Sequence, residues 1–161
     1  MRRLLLLACA LLATGCGAYR LGGGPPAQRD IEVRPVRNAT ARPGTHAALD
    51  QALRAALGSD ARLRVRAGGA PLEAEVVRYE RIDAARRTDD AVLSQTFRIA
   101  LTARCTLRSA DGRRTLFRDR EFTAHGVLSA GGDLAGEESR LLPRLSAEIA
   151  AQVRDAAAGA W

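Results

Sequence analysis

The sequence predicts an α+β fold, a two-layer sandwich in which two helices pack on one face of a mixed sheet of four to five strands. Residues 95–108 alternate strictly between apolar and polar side chains, which is typical of a strand covered on one face only. Residues 45–57 and 137–158 repeat apolar side chains every three or four positions, as helices with one buried face do. The uncovered face of the sheet is therefore expected to be polar.

The first half of the domain is predicted to hold three strands and one helix. Pro35 suits a strand end or an edge strand, because it has no N–H to donate. Thr45 can cap a helix for which Gly58 is the stop. The predicted order is a strand at 31–36, a loop at 37–44, a helix at 45–57, a strand at 63–65 and a strand at about 72–82.

The strand at 95–108 gives the clearest pattern. Leu101 belongs to its apolar face, so Leu101→Asp is expected to cost several kcal/mol, roughly the range for a broken buried ion pair. Thr102 belongs to the polar face, so Thr102→Asp is expected to cost under about 1 kcal/mol. The apolar face consists of Phe97, Ile99, Leu101, Ala103, Cys105 and Leu107.

A hairpin and a helix are predicted to complete the domain. Asp111-Gly112 is a strong hairpin signal and predicts a turn into a return strand at 115–126. Residues 129–136 are expected to be a loop, and residues 137–158 mostly helix. Proline either lies in the first turn of a helix or kinks it, so Pro143 indicates that the regular helix begins near Leu142.

The N-terminus has the pattern of an export signal. Arg2 and Arg3 precede an apolar run at 4–13, which is too short to span a bilayer, and small residues lead to Cys16. This resembles a bacterial lipobox, with Ala13 where leucine is commonest. We therefore expect residues 1–15 to be a signal peptide, Cys16 to be lipidated, and residues 16–29 to be a tether to a domain at 30–161. The alternative is a plain secretory signal with a cysteine nearby.

The composition favours a binding or assembly role over catalysis. All 25 basic residues are arginine and the formal net charge is +7. His46 and His125 have no metal ligands at the usual spacing. Glu73 and Glu75 share a strand face but are expected to be solvated. Cys105 is expected to be a small buried apolar residue. The sequence thus predicts neither an enzyme nor a cofactor, and export argues against a nucleic-acid partner.

Several motifs in order resemble one family. They are CGAYRLG at 16–22, IEVRPVRNAT at 31–40, LEAEV at 72–76, FRIAL at 97–101 with Asp111-Gly112, and the last helix with Trp161. Together they resemble the LptE lipoproteins of lipopolysaccharide (LPS) assembly, although Ala18 is an extra residue. The resemblance implies an outer-membrane lipoprotein, anchored by lipid on the periplasmic side. It also implies a partner, the β-barrel LptD. The lipoprotein would help this barrel to fold, plug its lumen and contact LPS.

Arginines supply the candidate LPS contacts. LPS carries phosphates, which suit arginine side chains. The segment from Phe97 to Arg120 has a formal charge of +5, from seven arginines and two aspartates. The resemblance also implies a basic contact in the hairpin between the third and fourth strands, whereas a second basic position of the family falls in 129–134, where this chain has none. The candidate residues are Arg86, Arg87, Arg98, Arg104, Arg108, Arg118 and Arg120.

Two alternatives stay open. In the first, the arginines contact no ligand and are simply exposed to solvent, on one face of the sheet and in one turn. The chain uses arginine for every basic residue, so arginines are expected at such exposed positions. The protein can also be a structural or assembly lipoprotein of another cell-envelope complex that binds no glycolipid.

Overall fold

The computed structural model describes residues 28–85, 95–130 and 133–161 of the 161-residue chain. Within these ranges the helices include none long and apolar enough to cross a membrane. The elements are β1 (Arg29–Val33), β2 (Arg37–Asn38), α1 (Thr45–Gly58), β3 (Leu63–Val65), β4 (Ala70–Ala85), β5 (Gln95–Arg108), β6 (Thr115–Ala130) and α2 (Leu134–Gly159).

The strands form one mixed sheet in the order β3-β1-β4-β5-β6, and β2 also pairs with β4. β1 is parallel to β3 and β4, and β2 is parallel to β4. The β4–β5 and β5–β6 pairs are antiparallel. The buried side chains of both helices and of one sheet face form a single core. The predicted α+β class with two layers is confirmed.

The sheet has six strands in the described part of the chain, more than predicted, because residues 37–38 form β2 where a loop was expected. The N–H of Arg34 donates to the carbonyl of Leu72 at 3.0 Å, but the next residue, Pro35, has no N–H. Pairing with β4 therefore breaks at Pro35 and resumes at residue 37. One stretch of chain becomes two strands.

The start of α1 differs from the prediction. Gly44 precedes the helix with φ 80°, a left-handed backbone conformation that favours glycine. Thr45 is the first helical residue and is fully buried. Its hydroxyl donates to the carbonyl of Arg42 at 3.2 Å. Thr45 therefore anchors the preceding loop and does not cap the helix as expected.

The helix α2 begins earlier than predicted, at Leu134, and β6 continues to Ala130, so the connection between them is short. The Asp133 side chain caps α2 by accepting the N–H of Gly136 at 2.9 Å. Pro143 therefore lies inside the helix, which corrects its predicted place in the first turn. Because Pro143 is exposed, water can satisfy the carbonyl that it leaves without a donor.

The core lies between the helices and the covered face of the sheet. The alternation of β5 is confirmed, because all six residues of its apolar face are buried. Each helix also presents a row of apolar side chains, so the contact between the helices and this face of β5 is apolar on both sides. Those rows are Leu49, Leu53 and Leu57 of α1, and Leu142, Leu145, Ile149 and Val153 of α2.

One expectation about β5 was wrong: Thr102 belongs to the polar face but is not exposed. It lies on the face away from the helices, opposite Thr123 of β6 and Arg78 of β4, yet only 3 % of it is exposed. The hydroxyl oxygens of Thr102 and Thr123 are 3.0 Å apart and share a hydrogen bond. A carboxylate at residue 102 would break this bond in a buried place. Thr102→Asp should therefore cost about 1–3 kcal/mol, more than the sequence alone indicates.

Leu101→Asp should lower the free energy of unfolding by about 3–5 kcal/mol, because it places an unpaired carboxylate in the core. Leu101 is fully buried, whereas Val127 of β6 is 62 % exposed on the opposite face. The control Val127→Asp should therefore cost about 1 kcal/mol or less. Urea unfolding of both variants measures the difference. Equal losses would contradict the assignment of the two faces.

Candidate functional site

The sheet face that the helices leave uncovered, here called the open face, is the candidate functional site. Between its strands lies a shallow groove of about 260 Å³ that we call the arginine groove. It includes three of the arginines singled out in the sequence. Its lining consists of Arg37, Glu73, Ala74, Glu75, Arg104, Thr106, Arg108, Arg118 and Asp119.

Two of these arginines are held by carboxylates on neighbouring strands. Arg108 Nη1 lies 2.8 Å from Glu73 Oε1 on β4. Arg104 Nη2 lies 2.9 Å from Glu121 Oε1 on β6, and this hydrogen bond raises the pKa of Arg104 above its ordinary value. Both guanidinium groups therefore have a fixed position on the open face, and an arriving anion must compete with a carboxylate for each.

A β-bulge brings Arg118 into the groove. Residues 118–119 lie opposite the single residue Thr106, because Cys105 pairs with Arg120 and Leu107 with Phe117. Asp119 has φ 48°, and its N–H donates to the Thr106 hydroxyl at 3.0 Å. No ion pair in the described part of the chain involves Arg118. Its guanidinium is therefore the groove cation that an anion can reach without displacing a carboxylate.

The same bulge separates Arg120 from the other candidates. Arg120 pairs in register with Cys105, whose side chain lies in the core, so Arg120 is on the helix-covered side of the sheet. Its guanidinium carbon lies 5.2 Å from the ring centre of Phe122. The alternation in the sequence places Arg118 and Arg120 on one face, but the extra residue puts them on opposite faces.

Arg98 lies on the open face but far from the groove. It is six residues from Arg104 along β5, or about 20 Å at the rise of an extended strand. Its register neighbours are Ile82 of β4 and Val127 of β6. The other predicted site residues, Cys16, Arg86 and Arg87, lie outside the described residues.

The formal charges in and around the groove balance. Four arginines meet four carboxylates once the partner of Arg104 is included, although the sequence between Phe97 and Arg120 carries an excess of arginine. The carboxylates that balance these arginines lie mostly outside that segment, on neighbouring strands. A charge count along residues 97–120 alone therefore overestimates the positive charge of the groove. The balanced set is Arg37, Arg104, Arg108 and Arg118 with Glu73, Glu75, Glu121 and Asp119.

An ion cluster around a buried carboxylate lies on the opposite side of the sheet. Glu138 of α2 is only 3 % exposed and lies 2.8 Å from Arg81 of β4 and 3.1 Å from Arg42 of the loop before α1. The Arg42 guanidinium also lies over the Tyr79 ring, 5.7 Å from its centre. Burial and the charge of Glu138 raise the pKa of Tyr79 to about 12. The cluster joins α2, β4 and a loop.

Sequence reasoning missed this cluster. Glu138 stands next to Glu137 at the polar start of a helix, where both carboxylates are expected to be solvated. One feature of the sequence does indicate burial: Glu138 stands four residues before Leu142, so it falls on the apolar face of the helix. Its two arginine partners are distant in the sequence, so no local pattern could connect them.

The open face offers little for catalysis in the residues described. No group of three or more His, Cys, Asp or Glu side chains there could hold a metal ion. Cys105 faces the core, and burial raises the pKa of its thiol to about 12. A thiol with that pKa stays protonated at neutral pH and is a poor nucleophile, which agrees with its expected role as a small core residue.

The family of the chain follows from a match over most of its length. The family model LptE, described as lipopolysaccharide-assembly, matches residues 28–157. The chain belongs to the LptE family. The resemblance found in the sequence motifs is therefore confirmed, and LPS assembly is the function of the family. A search of curated proteins finds no match.

Solved structures share the fold of this LptE protein at low sequence identity. A hypothetical protein from Chlamydia trachomatis matches with a TM-score of 0.54 and 14 % identity, over 80 % of this chain and 96 % of its own. Lipoprotein B from Nitrosomonas europaea matches with 0.53 and 12 %, over 85 % and 88 %. A minor lipoprotein from Acinetobacter baumannii matches with 0.50 and 14 %, over 81 % and 92 %. At these identities the likeness concerns the fold alone.

Glu138→Ala in this LptE protein should lower the free energy of unfolding by about 1–3 kcal/mol, because it removes the buried carboxylate that bonds two partly exposed arginines, Arg42 and Arg81. Glu137→Ala is the matched control. Glu137 pairs with Arg140 at the surface, and losing such a pair costs under about 1 kcal/mol. Chemical denaturation measures both. If the two variants lose equal stability, the cluster does not join the layers.

Proposed function

We propose that this protein is a lipid-anchored lipoprotein on the periplasmic side of the outer membrane that partners an LptD-like β-barrel in LPS transport and assembly. In this role it plugs the barrel or assists its assembly, and the open face is the surface that meets the barrel or LPS. The observation that carries the proposal is the LptE family match over residues 28–157. The lipobox-like segment that ends at Cys16 supports the anchor.

The geometry of the open face supports a role in binding phosphate groups. Arginine binds phosphate through two parallel N–H donors, and such charge-assisted bonds are among the stronger hydrogen bonds in proteins. The guanidinium of Arg118 has N–H donors and no ion pair in the described residues. It lies in the same groove as Arg104 and Arg108, which carboxylates hold in position. A phosphate that binds Arg118 first can then recruit Arg104 or Arg108 at the cost of one exposed ion pair.

The charge balance of the groove favours one alternative. A surface on which most arginines already have carboxylate partners attracts free anions weakly, and it is suited to a protein surface of mixed charge. The second candidate is therefore a structural or assembly lipoprotein of another envelope complex that binds no glycolipid.

The anchor predicts a defined mature N-terminus. Intact-mass and peptide mass spectrometry of protein purified from membranes should find Cys16 at the N-terminus with a diacylglyceryl thioether. Cys16→Ser should abolish the lipid and release the protein from the membrane fraction. An N-terminus at another residue, or retention of Arg2 and Arg3, would contradict the anchor.

The partner is tested by co-purification. Affinity-tagged protein from detergent-solubilised outer membranes should bring down an LptD-like barrel at near-equal amounts. A tagged outer-membrane lipoprotein of another family is the control and should not. Recovery of a different envelope complex in place of the barrel would favour the second candidate.

The arginine groove is tested by LPS binding to the full chain carrying Cys16→Ser. Arg118→Ala, and the double variant Arg104→Ala/Arg108→Ala, should each weaken binding about tenfold, because each removes charge-assisted contacts. Arg86→Ala/Arg87→Ala tests the hairpin position in the same assay. The control Arg144→Ala removes an exposed arginine from α2, outside the groove, and should bind as wild type does. Unchanged binding in every groove and hairpin variant would contradict the arginine account.

A further inference from the structure

The end of the domain that follows the tether carries several arginines. Arg29 begins β1, thirteen positions after Cys16. Leu107 of β5, Leu72 of β4 and Val33 of β1 lie in one row across the sheet. Because β1 is parallel to β4 and β5 is antiparallel to it, Arg29 and the turn after β5 lie beyond that row at the same end. We call this end, with Arg29, Arg113, Arg114 and Trp161, the tether end.

The turn between β5 and β6 presents two of these arginines. Its backbone is hydrogen bonded, because the N–H of Gly112 donates to the carbonyl of Ser109 and the N–H of Arg114 to the Ser109 hydroxyl, both at 2.9 Å. The Asp111 carboxylate accepts the N–H of Arg113 at 3.0 Å, so this acid is used within the turn. Arg113 and Arg114 are exposed, and their guanidinium groups have no ion pair in the described residues.

Arg29 and Trp161 add a third cation and an aromatic ring. Arg29 is exposed, and its guanidinium carbon lies 5.2 Å from the ring centre of Trp161. Trp161 is half-buried against the core. Arginine is attracted to anionic lipid headgroups, and tryptophan is enriched at the level of the headgroups because its ring is apolar and its N–H polar. The two side chains together are therefore suited to a membrane surface.

The acids nearby do not neutralise these three arginines. Three acidic side chains around the tether end already pair with other arginines at 2.7–2.8 Å. Those pairs are Asp30 with Arg64, Asp60 with Arg62, and Asp155 with Arg154. Arg29, Arg113 and Arg114 therefore remain available to an external anion.

The reach of the tether decides which surface lies beside this end. Thirteen steps along the chain, from Cys16 to Arg29, span at most about 45 Å whatever their conformation. The fourteen residues of β5 extend about 47 Å away from the tether end. A domain whose lipid sits in a bilayer therefore meets the membrane with its tether end, unless it inverts. For a barrel plug, this places the tether end at the periplasmic mouth, level with the headgroups.

We propose that the tether end binds anionic phospholipid headgroups of the leaflet that holds the lipid anchor. The lipid phosphates bind Arg113 and Arg114, and Trp161 lies at the level of the headgroups. Each arginine near an anionic membrane surface strengthens association about fivefold. This inference rests on the lipid anchor of the proposed function. It adds a second membrane contact that orients the domain, with the far end of β5 directed away from the bilayer.

Trp161 is the sole tryptophan of the chain, so its fluorescence reports on this end. The lipidated mature protein is reconstituted in vesicles of phosphatidylcholine alone or with phosphatidylglycerol, each with the same fraction of headgroup-spin-labelled lipid as quencher. Phosphatidylglycerol should raise the quenched fraction of Trp161 emission at least about twofold. Raising the salt from about 0.1 M to about 1 M should remove the increase, because the screening length falls from about 10 Å to about 3 Å.

Matched variants assign the effect to the turn. Arg113→Gln/Arg114→Gln should remove the increase that phosphatidylglycerol causes. Arg140→Gln/Arg144→Gln removes the same formal charge from exposed positions of α2 and should keep the increase. Thermal unfolding of each variant should match wild type, which keeps a loss of contact from being a loss of fold.

A second probe position tests the orientation. Val127 of β6 pairs with Arg98, ten residues from Arg108 along β5, and is 62 % exposed. Val127→Trp/Trp161→Phe therefore moves the only tryptophan about 34 Å away from the tether end. Its emission should be quenched weakly, and to the same extent in both kinds of vesicle.

The outcomes separate the inference from the proposed function. If Cys16 carries lipid but Trp161 is quenched equally in both vesicles, or the Arg113→Gln/Arg114→Gln variant keeps the increase, the inference is wrong while the anchor stands. Quenching of the tryptophan at residue 127 that depends on phosphatidylglycerol would overturn the orientation. A Cys16 without lipid would refute both the inference and the anchor. The expected quenching without recovery of a barrel on co-purification would support the inference and refute the partner.

Discussion

The two faces of β5 are the constraint on which the rest of the structure depends. One face buries six apolar side chains under the helices, and each larger side chain contributes about 1.5–3 kcal/mol when fully buried. Because the side-chain period of a strand is two, a shift of one residue in pairing would bring all six to the open face. Burial of the apolar face therefore fixes which side chains of β5 lie on the open face. The order of Arg98, Thr102, Arg104 and Arg108 on the open face is set by the packing of residues that never reach it.

Cross-strand pairing then decides which arginines are available. Arg104 and Arg108 are held by carboxylates of β6 and β4. Arg98 and Arg118 have no ion pair in the described residues, and they lie at opposite ends of the open face. The face is thus a surface of nearly balanced charge with two available cations, one in a polar groove and one between aliphatic side chains. Because the formal charges of the face nearly cancel, we propose that it binds through specific contacts and not through a strong overall field.

Features with a local cause were predictable from the sequence. The alternation of β5, the apolar face of α1 and the turn at Asp111-Gly112, where Gly112 has φ 70°, each follow from residues close together in the chain. Features that depend on distant partners were not. β2 exists because β4 lies beside it, and the ion cluster of Glu138 joins segments far apart in the sequence. The bulge at 118–119 is a single extra residue, yet it moves Arg120 to the other face.

The central claim is that the open face of the sheet is the working surface and that the helical layer supports it. Hydroxyl-radical footprinting of the protein alone and in its purified complex with the barrel partner tests this most directly. The account predicts that Ile82, His125 and Val127 are protected in the complex, while His46 and Pro143 in the helical layer are oxidised as in the free protein. Protection of His46 and Pro143 with unchanged oxidation of Ile82 and Val127 would contradict it.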